Sequence, residues 1–86
     1  MGFIRDIKSN TMRTEAQAAW NEGSPVFTPI LNMPSNRAGG AAMSGRIVDW
    51  EQMLAAVLDV GWRLHTWAVA SDSKGHIQAQ PLFVRP

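Results

Sequence analysis

Between Asp49 and Val69 the chain reads DWEQMLAAVLDVGWRLHTWAV, so that a helix, its stop and a strand follow one another with a single glycine between them. Trp50, Met53, Leu54, Val57 and Leu58 fall on the i, i+3, i+4, i+7, i+8 stripe of an amphipathic helix. Asp49 as N-cap with Gln52 three residues later makes a capping box, and Val48 and Met53 take the two positions of a hydrophobic staple. Gly61 then supplies the left-handed residue past the helix end, and Trp62 is placed to pack back on Val57. A helix tied this closely to a strand must cover the sheet that the strand joins, which makes the fold class α+β.

WRLHTWAVA and HIQAQPLFVRP flank SDSKG, a turn signal with Asp72 early and Gly75 at the left-handed position, and so predict a hairpin. A turn centred there pairs Trp62 with Phe83, Leu64 with Pro81, Thr66 with Ala79 and Ala68 with Ile77 on the core face. The other face pairs Arg63 with Leu82, His65 with Gln80, Trp67 with Gln78 and Val69 with His76.

Residues 1–22 read as an N-terminal helix, with Phe3, Ile4 and Ile7 on one face. Its SNT middle is weak, so that either one bent helix or a shorter one capped by Thr14 fits, and Gly23, Ser24 and Pro25 stop it. PVFTPILNM follows as a strand in which Pro29 cannot donate to a ladder, which places it at a sheet edge or beside a bulge. Residues 34–45, PSNRAGGAAMSG, read as a flexible loop. The expected architecture is therefore one domain over residues 1–86: an N-terminal helix, then a β-α-β-β unit over residues 25–86 with a three-stranded antiparallel sheet and a right-handed crossover.

From Trp50 to Pro86 the pieces LDVGWRL and LFVRP resemble a family of small bacterial proteins of unknown function. In that family a helix ends in Gly-Trp-x-Leu, a strand follows, and a short last strand closes on an aromatic residue, a basic residue and proline. The resemblance covers about half the chain, implies a β-α-β-β sheet, and carries over no catalytic residue.

Composition narrows the function. Eight basic and seven acidic residues leave a net charge of +1, too small for a chain that grips nucleic acid through phosphates. The absence of cysteine removes disulfides and thiolate chemistry and fits a cytoplasmic setting. MGFIRDIKSN carries charges where a signal peptide needs an apolar segment. His65 and His76 are separated by several residue pairs, with no carboxylate on their face, so they read as solvated histidines rather than metal ligands. Ser71, Asp72 and Ser73 beside His76 read as turn residues rather than a catalytic cluster, because a turn tip has no walls to exclude water. RAGGAAMSGR lacks the Gly-Lys-Ser/Thr ending of a phosphate loop. No enzyme, cofactor or metal is therefore expected.

What is left over is apolar. Only 17 % of residues are charged, against roughly 25 % in an average soluble domain, while the chain holds four tryptophans and five methionines. Trp50 and Trp62 bracket the second helix and belong in the core. Trp67, Val69, Leu82 and Val84 fall on the sheet face opposite that helix, and Trp20 has no obvious partner, which makes these five interface candidates for a homo-oligomer or a protein partner. Alternatively Arg63, His65, Gln78 and Gln80 around Trp67 form an open face for a small ligand or single-stranded nucleic acid, though one aromatic and little positive charge weigh against nucleic acid. The Phe3, Ile4, Ile7 stripe beside Arg5 and Lys8 would bind a membrane surface weakly without a second anchor.

Overall fold

In a computed structural model, which describes residues 3–33 and 46–86, the elements run α1 (Phe3–Asn21), β1 (Val26–Phe27), β2 (Leu31–Asn32), α2 (Val48–Val60), β3 (Arg63–Ser71) and β4 (Ile77–Val84). The expected loop at 34–45 and the side chains of Phe3, Arg5, Ile4, Ile7 and Lys8 lie outside the described residues.

Helix α1 is unbroken through the SNT stretch. Thr14 caps nothing; its hydroxyl bonds back to the Asn10 carbonyl at 2.9 Å, in the way a mid-helix threonine satisfies itself. The stop comes where Gly23 reaches φ 80°. Ser24 N–H donates to Ala19 O and Gly23 N–H to Trp20 O, both at 3.1 Å, which is the pairing of a Schellman motif.

The sheet is antiparallel and has four strands rather than three, because the expected first strand breaks in two. Val26 and Phe27 pair with Val84 and Phe83, and Leu31 and Asn32 with Ala79 and Gln78, so β1 and β2 share one register along the same side of β4. Continuing that register sets Pro29 opposite Pro81. The Met33 N–H donates to the Ile77 carbonyl on this side, so alternate positions 79, 81 and 83 also belong to hydrogen-bonded pairs. At Pro81 neither partner has an N–H to give, and the ladder fails there. The Thr28 hydroxyl donates to the Pro81 carbonyl at 2.9 Å instead.

Both helices lie on the sheet face that carries Ala79, Pro81 and Phe83. Met12 and Ala16 of α1, Trp50, Met53 and Val57 of α2, and Leu31, Trp62, Ala79 and Phe83 form one buried cluster. The two core tryptophans hold the layers by their ring N–H groups: Trp50 donates to Asn32 O at 2.8 Å and Trp62 to Ala16 O at 3.0 Å. The expected burial of these two rings is observed.

The capping box is not. Helix α2 begins at Val48 with Ile47 before it, and the Ile47 carbonyl accepts the first bond, from Glu51 N–H at 3.0 Å. Asp49 and Glu51 instead stand within the first turn, where their charges favour the helix N-terminus. Glu51 is also paired with Arg46, whose Nε donates to it at 2.9 Å, and this pairing holds the Glu51 carboxyl below its ordinary value. The helix does stop at Gly61, with φ 130° and its N–H on Leu58 O at 3.0 Å.

Candidate interaction surface

The hairpin sets the surface. Asp72 N–H donates to His76 O at 2.8 Å and Gly75 N–H to Asp72 O at 3.0 Å, with Gly75 at φ 84°. One Asp72 carboxylate oxygen accepts from the Lys74 and His76 N–H groups at 2.8 and 2.9 Å, and these bonds hold its pKa below the usual carboxylate value. The loop is thus Ser73, Lys74 and Gly75, a three-residue turn with glycine at its left-handed position.

That turn overturns the expected register. Ser71 pairs with Ile77, Val69 with Ala79, Trp67 with Pro81 and Thr66 with Leu82, three residues from the expected partners. An odd slip turns a strand over relative to its neighbour. Trp67 and Val69 therefore lie on the helix side of the sheet, not on the opposite face, and the Trp67 ring meets Trp50 edge-on at 6.1 Å. A bulge between Leu64 and Thr66 restores the phase, so that Leu64 faces Phe83 on the helix side as well. Trp62, Leu64, Trp67 and Val69 share one face because His65 is the extra residue of the bulge.

Trp20 is corrected too. It meets Trp62 edge-on at 5.2 Å, and the Arg85 guanidinium lies 4.3 Å from the centre of its ring and 5.0 Å from that of Trp62. The same guanidinium donates to Trp20 O at 2.7 Å and Ser24 O at 2.8 Å, closing the end of α1. Trp20 is a packing residue, half-buried.

The opposite face carries Val26, Asn32, Thr66, Ala68, Ala70, Gln78, Gln80, Leu82 and Val84, with Arg63 at one end. Leu82 and Val84 are where the sequence puts them and are partly buried, and Gln78 donates to Asn32 across the strands at 3.0 Å. Of the proposed ligand face, Arg63, Gln78 and Gln80 share this side, but its aromatic, Trp67, does not, and His65 sits in the bulge. His76 pairs with Asp72 Oδ2 at 3.1 Å in the turn. Among the described residues no group of three or more His, Cys, Asp or Glu could hold a metal ion, and no helix is long and apolar enough to cross a membrane.

The sheet's two borders differ sharply. On the β1/β2 side the strands are two residues each and Pro29 interrupts them. On the β3 side nine residues run with no further strand beside them among the described residues, and each is exposed. Leu64, Trp67 and Val69 remain 41, 46 and 57 % exposed although they face the helix layer, because the helices cover β4 and not β3. From Thr66 to Ser71 there is no charge and no proline, the devices that usually blunt a free edge. Since Asp72 and His76 form a hydrogen-bonded pair, so do Ala70 with Gln78 and Ala68 with Gln80. Trp67, Val69 and Ser71 between them turn their N–H and C=O groups outward, where no described residue meets them. Sequence inspection missed this edge by setting the wrong register across the turn. The spacing of Trp62, Leu64, Trp67 and Val69, with its single step of three, was the available signal for a bulge.

No protein-family model matches the chain, and no curated protein or solved structure does.

Proposed function

We propose that this chain is a small non-catalytic assembly module that self-associates through its sheet, in a cytoplasmic setting. The observation that supports it is the open β3 edge: outward-turned backbone groups flanked by Leu64, Trp67 and Val69, all exposed, on a strand without charge over its second half. Exposed apolar side chains gathered at one place mark interaction sites, and a free edge is a template for another strand. Trp67 has the character of an anchor, since Trp50 fixes its ring and Asn32 fixes Trp50. With no cysteine in the chain, association through this edge is non-covalent.

The reading of the outer face as a platform for a flat ligand or single strand is weaker, because stacking needs an aromatic ring and the register puts Trp67 on the other side. Light scattering coupled to size exclusion tests the proposal on the full chain. A mass above that of one chain, falling on dilution, supports self-association; a mass of one chain at every concentration overturns it.

A further inference from the structure

We infer that the occupant of the β3 edge is β3 of a second copy, antiparallel and centred on Ala68, so that two sheets join into one. The inference rests on the assembly reading and adds to it the surface, the orientation and the register. Three observations carry it.

The first is parity. Antiparallel strands related by a two-fold axis keep their helix layers on the same side, and residues directly opposite must point to the same face. Trp67, Val69 and Ser71 face the helices and turn their backbone groups outward, so they must pair among themselves. Only centres on a residue, such as Trp67, Ala68 or Val69, satisfy this.

The second is the pairing each centre produces. Centring on Trp67 sets Val69 against His65, and centring on Val69 sets Trp67 against Ser71, which leaves an exposed apolar side chain facing a polar one in each case. Centring on Ala68 sets Trp67 against Val69 of the second copy and Val69 against its Trp67, in hydrogen-bonded pairs. Aromatic against β-branched is among the favourable cross-strand combinations. On the outer face Ala68 meets Ala68, and Thr66 meets Ala70.

The third is charge. The edge is neutral between Thr66 and Ser71, with Arg63 and His65 at one end and Asp72 at the other. The Ala68 register brings the basic end of each copy beside the acidic end of the other, at both ends of the joint strand.

The joint Ala68 pair is a non-hydrogen-bonded one, in which the Cα atoms stand about 4.5 Å apart, within the range a disulfide spans. The chain has no cysteine of its own, and Ala68 is exposed, so Ala68→Cys introduces a single thiol without disturbing the core. We compare Ala68→Cys with Ala70→Cys, also exposed, in a glutathione redox buffer, with the parent's mass measured alongside. The expected result is a covalent dimer for Ala68→Cys and none for Ala70→Cys, whose two thiols would stand about 13 Å apart along the joint strand. Cross-linking of Ala70→Cys in preference to Ala68→Cys overturns the register. A parent that self-associates while neither variant cross-links overturns the β3 edge as the joint and leaves the assembly reading standing. A parent that is a monomer throughout, with Ala68→Cys unlinked, overturns both.

Discussion

Adding one methyl group at Gly61 should destabilise this protein far more than an exposed helix end would lead one to expect. The residue sits at φ 130°, outside the conformations that side chains favour. A Cβ built there would stand 2.9 Å from Trp20 Cη2 and 3.3 Å from Cζ2 and Cζ3. Backbone strain of this kind costs about 1 to 3 kcal/mol, and forcing an extra carbon into a packed site adds about 1 to 3 kcal/mol. The Trp20 ring is poorly placed to yield, since Trp62 and Arg85 hold two of its sides. A domain of this length has about 4 to 13 kcal/mol in all, so a loss of about 3 kcal/mol in Gly61→Ala is a large share. It should lower the melting temperature by about 12 to 24 °C. Thermal unfolding followed by circular dichroism reads it, with Trp20→Ala and the double variant completing a cycle. The steric part should vanish when Trp20 is absent, so Gly61→Ala should cost about 1 to 2 kcal/mol less in that background. A single variant melting within about 2 °C of the parent would refute the whole argument, and an unchanged cost beside Trp20→Ala would refute the role given to the ring.

Trp67→Glu should yield a monomer with the parent's circular dichroism: a tryptophan has up to about 200 Å² to bury, and with 46 % exposed the remaining area contributes about 2 kcal/mol per copy. Across two copies that is about a thousandfold in Kd, and an unchanged dissociation midpoint in sedimentation would rule the ring out of the joint. Arg85→Lys should cost about 1 to 2 kcal/mol in urea unfolding, because a lysine cannot reach both Trp20 O and Ser24 O while lying over two indoles; a midpoint equal to the parent's would show that the capping is dispensable. The Asp72 carboxyl should titrate below its ordinary value of about 3.9, since the His76 and Lys74 N–H groups favour its charged form. Its depressed pKa means that the turn is supported above that ordinary value and loses the support as pH falls through the folded-state value. A carboxyl carbon titration by NMR tests this, and a midpoint at or above the ordinary value would contradict the turn geometry.

Free edges are rare in proteins that must stay apart, and this sheet shows one border of each kind. The Pro29 and Pro81 pair leaves the β1/β2 border too short and irregular to recruit a strand, while β3 is long and, from Thr66 to Ser71, both even and uncharged. The difference is one of chemistry within a single small sheet, and it is why the proposed assembly is assigned to the β3 border.

The α+β class, helix α2 with its stripe of Trp50, Met53 and Val57, the glycine stops at Gly23 and Gly61, and the burial of Trp50 and Trp62 could all be read locally, because each depends on residues within a turn or two of one another. Pro29 announced a broken ladder for the same reason, since a missing N–H is a property of the residue itself. What could not be read depended on pairing at a distance. Where the hairpin centres was decided by the Asp72 carboxylate taking the Lys74 and His76 N–H groups around a loop of residues 73–75, and the resulting register turned over every side chain from Thr66 to Ser71. Trp67 and Val69 thereby moved from the outer face to the helix side, and the bulge at His65 was needed to keep Trp62 and Leu64 with them. Trp20 found its partners only when Arg85, at the far end of the chain, was brought across it. The opening of β3 to solvent is likewise tertiary: periodicity marks which residues are apolar, but only the placement of both helices over β4 determines which of them stay uncovered.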